Sequence, residues 1–264
     1  MSIPEPNPGN VSGGLDGKAD EMKDLFSNQA GTYAAFRPTY PDELYQFIYS
    51  RLHHFDAAWD CGTGNGQVAR DLAKKFRTVF ATDISAKQLG NAYPAENIRY
   101  SQAGEETTFK DNSMDLITVA QAIHWFDREK FYKEVRRVAK EDALLAVWGY
   151  GLLSINSELD LPLRDFYYKQ VGPYWDPERK LIDEQYRTIS FPFSEINVPR
   201  FNFYFEWTIE EFLGYLNTWS SVQNYKQING INPVDELAER ILPMWGPEKR
   251  TITFPLFARF GEIG

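Results

Sequence analysis

The chain has 264 residues, enough for one enlarged α/β domain or two small ones, and ample for a buried core. Apolar residues make up 43% and charged residues 25%, with 18 Gly and 15 Pro, which excludes collagen-like, coiled-coil and wholly disordered chains. The net charge of −9, with no basic run longer than a pair such as Arg136-Arg137, argues against nucleic acid as the main partner.

Residues 1–20 are rich in Pro, Gly, Ser and Asn and lack the basic-then-apolar pattern of a signal peptide, so they read as a disordered tail. A single domain is expected over 21–264. Within it, short β-branched or aromatic runs predict strands at Ala57–Cys61, Thr78–Ile84, Ile98–Gln102, Met114–Ala120 and Ala143–Gly149. Helical periodicity lies between them at Gln67–Lys75, Ala86–Ala92 and Arg128–Lys140, where Phe131, Val135 and Val138 share a face. Strands alternating with helices over 21–150 predict βαβ units. The expected fold is α/β: a doubly wound, seven-stranded, mostly parallel sheet whose last strand is antiparallel.

After Tyr150 the rhythm changes. Glu158–Val171, Asp176–Gln185, Ile209–Asn217 and Val234–Leu242 read as helices, so 151–200 and 208–250 form a helical lid. Phe201–Trp207 and Thr251–Phe260, within the segments 201–207 and 251–260, alternate as a final antiparallel edge pair. No segment reaches the ~18 uninterrupted apolar residues of a membrane helix. The single cysteine, Cys61, cannot form an internal disulfide, which fits a reducing, cytoplasmic setting. Three histidines and no clustered carboxylates at ligand spacing leave no metal site.

In a doubly wound sheet the ligand sits at the carboxyl ends of the strands, where the strand order reverses. The first strand ends in Asp60-Cys61-Gly62-Thr63-Gly64-Asn65-Gly66-Gln67, a glycine loop that opens a helix. Gly64, Gly66 and Ala69 also satisfy the dinucleotide pattern G-x-G-x-x-A, with Asp83 closing the next strand. Electrostatics separates the two ligands. A pyrophosphate at this helix start would meet Asp60, whereas S-adenosylmethionine carries a sulfonium and an α-ammonium and no phosphate, so the acid becomes an asset. Asp83 can accept hydrogen bonds from both ribose hydroxyls of either cofactor.

Beyond the loop, several motifs stand in fixed order. They are Phe26-Ser-x-x-Ala-x-x-Tyr33-x-x-Phe-Arg37-Pro38-x-Tyr40-Pro41, Ala81-Thr-Asp83-Ile84-Ser85, Tyr100-x-x-Ala103-Gly104-Glu105, Ser113-Met-Asp115-Leu and Ala120-Gln121-Ala122-Ile-His124-Trp125-Phe126-Asp127. With the glycine loop, they make the chain resemble the class I S-adenosylmethionine-dependent methyltransferases, in their type 11 group and the branch similar to trans-aconitate methyltransferases. The match is strong over 26–150 and weaker at Thr218-Trp219-Ser-Ser and Phe254-Pro255-Leu-Phe. The resemblance implies a Rossmann-like fold in which Tyr33, Arg37, Asp60, Gly62, Thr63, Gly64 and Gln67 surround the methionine part of the cofactor. It also implies that Asp83, Ile84 and Ser85 hold the adenosine, that Ala103, Gly104 and Glu105 border the adenine, and that Ala120 and Gln121 receive the α-ammonium. Ala103 departs from relatives that place an Asp there to meet the adenine amino group.

A carboxylate acceptor needs no base, whereas a phenol, alcohol or carbon acid does. His124 follows the fourth strand on the ligand side and stands as substrate contact or base, with a packed loop residue as the other reading. Arg37 suits a carboxylate through its fork of donors, on the methionine or on the substrate. Tyr33, His124, Trp125, Trp148 and Tyr150 are the expected acceptor walls. The expected function is methylation of a small molecule, favouring a carboxylate oxygen. Methylation of a hydroxyl, phenol or quinone-type acceptor with His124 as base is the alternative. An NAD-dependent oxidoreductase and a non-catalytic S-adenosylmethionine-binding protein are the rivals of other classes. Partners are expected to be small molecules, without nucleic acid or membrane, for a monomer or weak homodimer.

Overall fold

The computed structural model describes residues 39–263; the expected tail over 1–20, and Tyr33 and Arg37, lie outside them. Five strands, β1 (Ala57–Cys61), β2 (Thr78–Asp83), β3 (Ile98–Gln102), β4 (Met114–Ala120) and β5 (Ala139–Tyr150), pair in parallel in the order β3-β2-β1-β4-β5. Strand order therefore reverses between β1 and β4. Alternate residues of each strand feed two cores. Ala58, Val79, Leu116, Leu144 and Trp148 lie in one, and Trp59, Cys61, Ile117, Val119 and Leu145 in the other. The run Met114–Val119 is buried throughout, the pattern of a parallel strand covered on both faces.

Helices α1 (Asp42–Tyr49), α2 (Gln67–Leu72), α3 (Ala86–Gly90) and α4 (Arg128–Val138) connect or flank these strands. The Asp127 side chain caps α4 by accepting from the Lys130 amide, and Phe131, Val135 and Val138 are buried as their spacing predicts. At the opposite end of the sheet, Asp115 holds the start of β1. Its Oδ2 accepts from the amides of Asp56 (2.8 Å) and Ala57 (2.9 Å), while Lys140 Nζ meets Oδ1 at 2.7 Å.

The lid begins with α5 (Ser157–Asp165), which runs directly into a π-helical turn over Phe166–Gln170. After a 3-10 turn over Gly172–Tyr174 come α6 (Arg179–Asp183), α7 (Ile209–Leu216), α8 (Ser220–Asn229) and α9 (Pro233–Trp245). The expected helix over Asp176–Gln185 shrinks to α6 because Gln185 and Tyr186 both take positive φ, at 56° and 57°. Helix α8 was not expected; its polar sequence buries only Ser221 and Val222 and so carries no apolar stripe.

Two strand features depart from expectation. Strand β8 (Arg250–Ile263) is not at the edge: it lies antiparallel between β5 and two further segments, β6 (Ser194–Ile196) and β7 (Phe201–Trp207). Leu256 pairs with both Tyr150 and Phe201, so β6 and β7 share the side of β8 away from β5. Their registers differ by one residue, Ile196 opposite Phe260 but Phe201 opposite Leu256. The eight segments thus occupy seven strand positions, the seventh being β6 and β7 interrupted over 197–200, where Pro199 has no N–H for the ladder.

Candidate active site

Four successive strand ends build one open cavity at the reversal of strand order, with about 910 Å³ of free space. Gly62 and Gly64 contribute from the end of β1; Asp83, Ile84 and Ser85 from β2; Ala103, Gly104 and Glu105 from beyond β3; Ala120, Gln121 and Trp125 from β4 and the turn after it. The sequence placed all eleven in the site. Cys61, Asn65, Gln88, Ala122 and Phe126 also line it. Asn65, Ala122 and Phe126 stand inside the quoted motifs, next to residues singled out there. For Cys61, only disulfide chemistry was considered, and Gln88 carried no signal beyond its place one turn after Ser85.

The glycine loop is held by backbone bonds, from the amides of Gly62 and Thr63 to the Thr82 carbonyl, both 2.9 Å. Its glycines at 62, 64 and 66 take φ of 70°, 57° and 80°. Asp83 is oriented by the same turn. Its Oδ2 accepts from Gly64 N and its Oδ1 from Ser85 N, each at 2.8 Å, and the carboxylate remains in the cavity wall. Glu105 Oε1 accepts from the Asp127 amide at 2.9 Å, tying the third strand end to the start of α4.

Gln121 is the strained residue of the wall, with φ at 56°. Its Nε2 donates to the Tyr150 carbonyl at 3.1 Å, while its Oε1 is buried without a hydrogen-bond partner among the described residues. This oxygen lies beside Gly149, where a β-carbon would stand 3.2 Å from it. Among the described wall residues the charged groups are two acids, Asp83 and Glu105, and no Lys, Arg or His. Such a wall attracts a cation and repels a pyrophosphate.

Other expected site residues stand elsewhere. Asp60 is 1% exposed and outside the wall: its carboxylate accepts from Thr63 Oγ1, from Thr118 Oγ1 at 2.8 Å and from the Ala69 backbone. Burial pushes its pKa up to about 6 despite these bonds. It braces the loop from beneath, with Thr63 as its partner, and Gln67 likewise lies outside the described wall. Trp148 and Tyr150 belong to the core below the lid, where Trp148 meets Tyr40 edge-on at 5.5 Å and Tyr150 packs on Phe203 and Phe254.

His124 also stands outside this wall. It lies in the 3-10 turn Ile123–Trp125, 6% exposed, with Nδ1 2.9 Å from Tyr186 Oη and its ring stacked on Tyr186. Burial, with the charge of Arg179, depresses its pKa to about 3, so it is neutral throughout the physiological range. A group that weakly basic gains almost nothing as a general base near neutrality. Of the roles expected of it, this geometry favours a packed or substrate-contacting neutral imidazole over a base.

A doubly wound sheet with an acid-only, glycine-looped cavity at its switch point defines a binder of a cationic nucleoside. Residues 59–147 match the family described as "Methyltransferase domain". A Dictyostelium discoideum protein named as a methyltransferase is 36% identical over 227 residues, covering 84% of this chain and 86% of its own. A Saccharomyces cerevisiae protein named as an S-adenosylmethionine-dependent methyltransferase is 26% identical, covering 78% of this chain and 83% of its own. A solved structure from Anaeromyxobacter dehalogenans, described as a type II methyltransferase, superposes with a TM-score of 0.82 at 35% identity, covering 86% of this chain and 98% of that one. The chain belongs to the class I S-adenosylmethionine-dependent methyltransferases, with S-adenosylmethionine as its cofactor.

Proposed function

We propose that the enzyme methylates a carboxylate oxygen of a small molecule. The observation that carries this reading is the state of His124: buried, neutral and bonded to Tyr186, it leaves the turn after β4 without a base. An acceptor that arrives already ionised is the one such a site can serve, and a carboxylate meets that condition at neutral pH. The resemblance to the trans-aconitate methyltransferase branch supports the same acceptor class. Bound S-adenosylmethionine supplies a methyl group already activated by its sulfonium. The chain's task is then alignment and exclusion of water.

In this reading Asp83 accepts the ribose hydroxyls, Ala120 and Gln121 at the end of β4 receive the α-ammonium, and Ile84, 39% exposed, offers an apolar face to the adenine. The resemblance to the family adds Arg37 and Tyr33, outside the described residues, as cofactor contacts. The buried thiol of Cys61 supports a reducing, cytoplasmic setting.

The base question has a direct test. His124→Asn keeps an acceptor near Tyr186 and is expected to hold kcat within about tenfold of wild type, with no inflection lost from the pH–rate profile. A loss of roughly 10²–10⁴-fold, the worth of a general base, would restore the phenol or carbon-acid alternative.

Asp60 gives a pH dependence of known sign. It is protonated below pH about 6 and ionised above, and the ionised form adds negative charge beneath the loop. S-adenosylmethionine and S-adenosylhomocysteine differ by the sulfonium charge. The ratio of their affinities is expected to rise about fivefold, or ~1 kcal/mol, in favour of the sulfonium between pH 5 and 7.5. Paired calorimetric titrations measure it, and a flat ratio would remove Asp60 from the electrostatics of the site.

A further inference from the structure

We propose that Arg179 is the residue that binds the anionic group of the acceptor, and that the acceptor is a carboxylate with an apolar or aromatic tail. The inference rests on the carboxylate reading above and adds the residue and the tail. Helix α6, which Arg179 begins, packs against the turn Ile123–Trp125, whose Trp125 closes the cofactor cavity. The guanidinium thus stands one side-chain layer beyond the end of β4, on the side where an acceptor approaches. Its charge bears on His124, in the turn that α6 packs against, and His124 in turn bonds Tyr186 at 2.9 Å.

The side chain is fixed in an unusual way for a cation only 21% exposed. Nε donates to Tyr167 Oη at 2.7 Å, Tyr167 Oη donates to Asp183 Oδ1 at 2.6 Å, and the guanidinium lies 4.5 Å over the Trp175 ring. Asp183 approaches only the Nε edge, at 3.8 Å, beyond hydrogen-bonding distance. Neither terminal nitrogen has a hydrogen-bond partner among the described residues, and neither is sealed within the protein. The guanidinium carries five donors in a rigid fork, and with Nε taken by Tyr167 the four on the terminal nitrogens face solvent, open to a ligand. The fork matches a carboxylate oxygen pair.

The walls around it state the rest of the ligand. Trp175 and Trp219 lie 5.6 Å apart, Tyr167 meets Trp219 edge-on at 5.5 Å, and Tyr215 meets Trp219 at 5.9 Å. Tyr167, Tyr215 and Trp219 are buried and back the half-buried Trp175, whose ring beside the cation is the apolar surface an uncharged tail would meet. The aromatic surplus of the sequence, 19 Phe, 15 Tyr and 7 Trp, finds part of its use here.

The test is calorimetry on enzyme saturated with S-adenosylhomocysteine, titrated with straight-chain carboxylates of graded length, benzoate, 3-phenylpropionate and the amide of the last. Wild type is expected to bind tailed carboxylates and to bind the amide at least tenfold more weakly. Arg179→Met is expected to lose tenfold or more on the carboxylates alone, with S-adenosylhomocysteine affinity unchanged. Arg179→Lys, which keeps the charge without the fork, is expected to fall between and guards against a folding artefact. Equal binding by wild type and Arg179→Met, or binding of no carboxylate by wild type, overturns the proposal. Ester formation measured with S-adenosylmethionine separates the two claims. Anion binding lost in Arg179→Met without any ester from wild type sinks carboxylate methylation and keeps the site. Esters formed equally by both enzymes do the reverse.

Discussion

Replacing Asp83 by Ala is expected to weaken S-adenosylhomocysteine binding roughly 100- to 1000-fold, about 3–4 kcal/mol, because two charge-assisted hydrogen bonds to the ribose vanish together. The loss reaches further than the ligand contact. The same carboxylate accepts from the amides of Gly64 and Ser85, so its removal also frees the two loops that frame the cavity. Asp83→Asn separates these roles: it retains an acceptor oxygen but no charge, and an intermediate loss of about tenfold is expected. Calorimetry at matched thermal stability reads the difference. Unchanged affinity in the Ala variant would take Asp83 out of the cofactor site.

The second large effect is structural. Gly66 begins α2 at φ 80°, and a β-carbon built there would run into the Tyr100 hydroxyl and ring, with ring carbons at 2.9 and 3.0 Å. Tyr100 cannot yield freely, since its hydroxyl donates to the Tyr93 carbonyl at 2.8 Å. Gly66→Ala combines left-handed backbone strain with this collision, and about 3 kcal/mol of destabilisation is expected. In a domain of this size that lowers Tm by roughly 6–12 °C. Gly64, at φ 57° but with open space around a β-carbon, supplies the control: Gly64→Ala is expected to lose only the strain, ~1–2 kcal/mol. Equal Tm losses at the two positions would show that Tyr100 moves aside and that packing contributes nothing to the requirement for glycine.

What the residues revealed in advance follows the range of the forces involved. The strand ends were legible because alternation, glycine φ and acid placement are all local, and Asp83 emerged from them, whereas Gln121 and the Ala103–Glu105 segment were implied only by the resemblance of their motifs to the family. Asp60 was placed correctly on its strand and misjudged in its direction. Whether a carboxylate turns toward a ligand or under its own loop depends on Thr118, which reaches it from 58 residues away, and no local pattern encodes that. His124 was visible as a titratable residue after β4, but its neutrality comes from burial and the charge of Arg179, beneath a lid whose Tyr186 bonds it from 62 residues away. Arg179 carried no signal at all. Its meaning lies in Tyr167, Trp175 and Trp219 converging from separate lid elements, a three-dimensional fact with no spacing rule. The polar helix α8 was missed for the opposite reason: tertiary contacts at Ser221 and Val222 stabilise what propensity alone does not favour.

The break at Pro199 bears on how copies of this enzyme meet. The outer side of β6 and β7 is the open margin of the sheet, and an uninterrupted strand there would template ladder growth from one molecule to the next. A residue without a donor, a one-residue slip between the two halves, and the exposed Pro199-Arg200 pair between them leave no stretch on which a second chain could keep register across both segments. Any ladder that started on β7 would therefore stop at Pro199 and could not run on into β6.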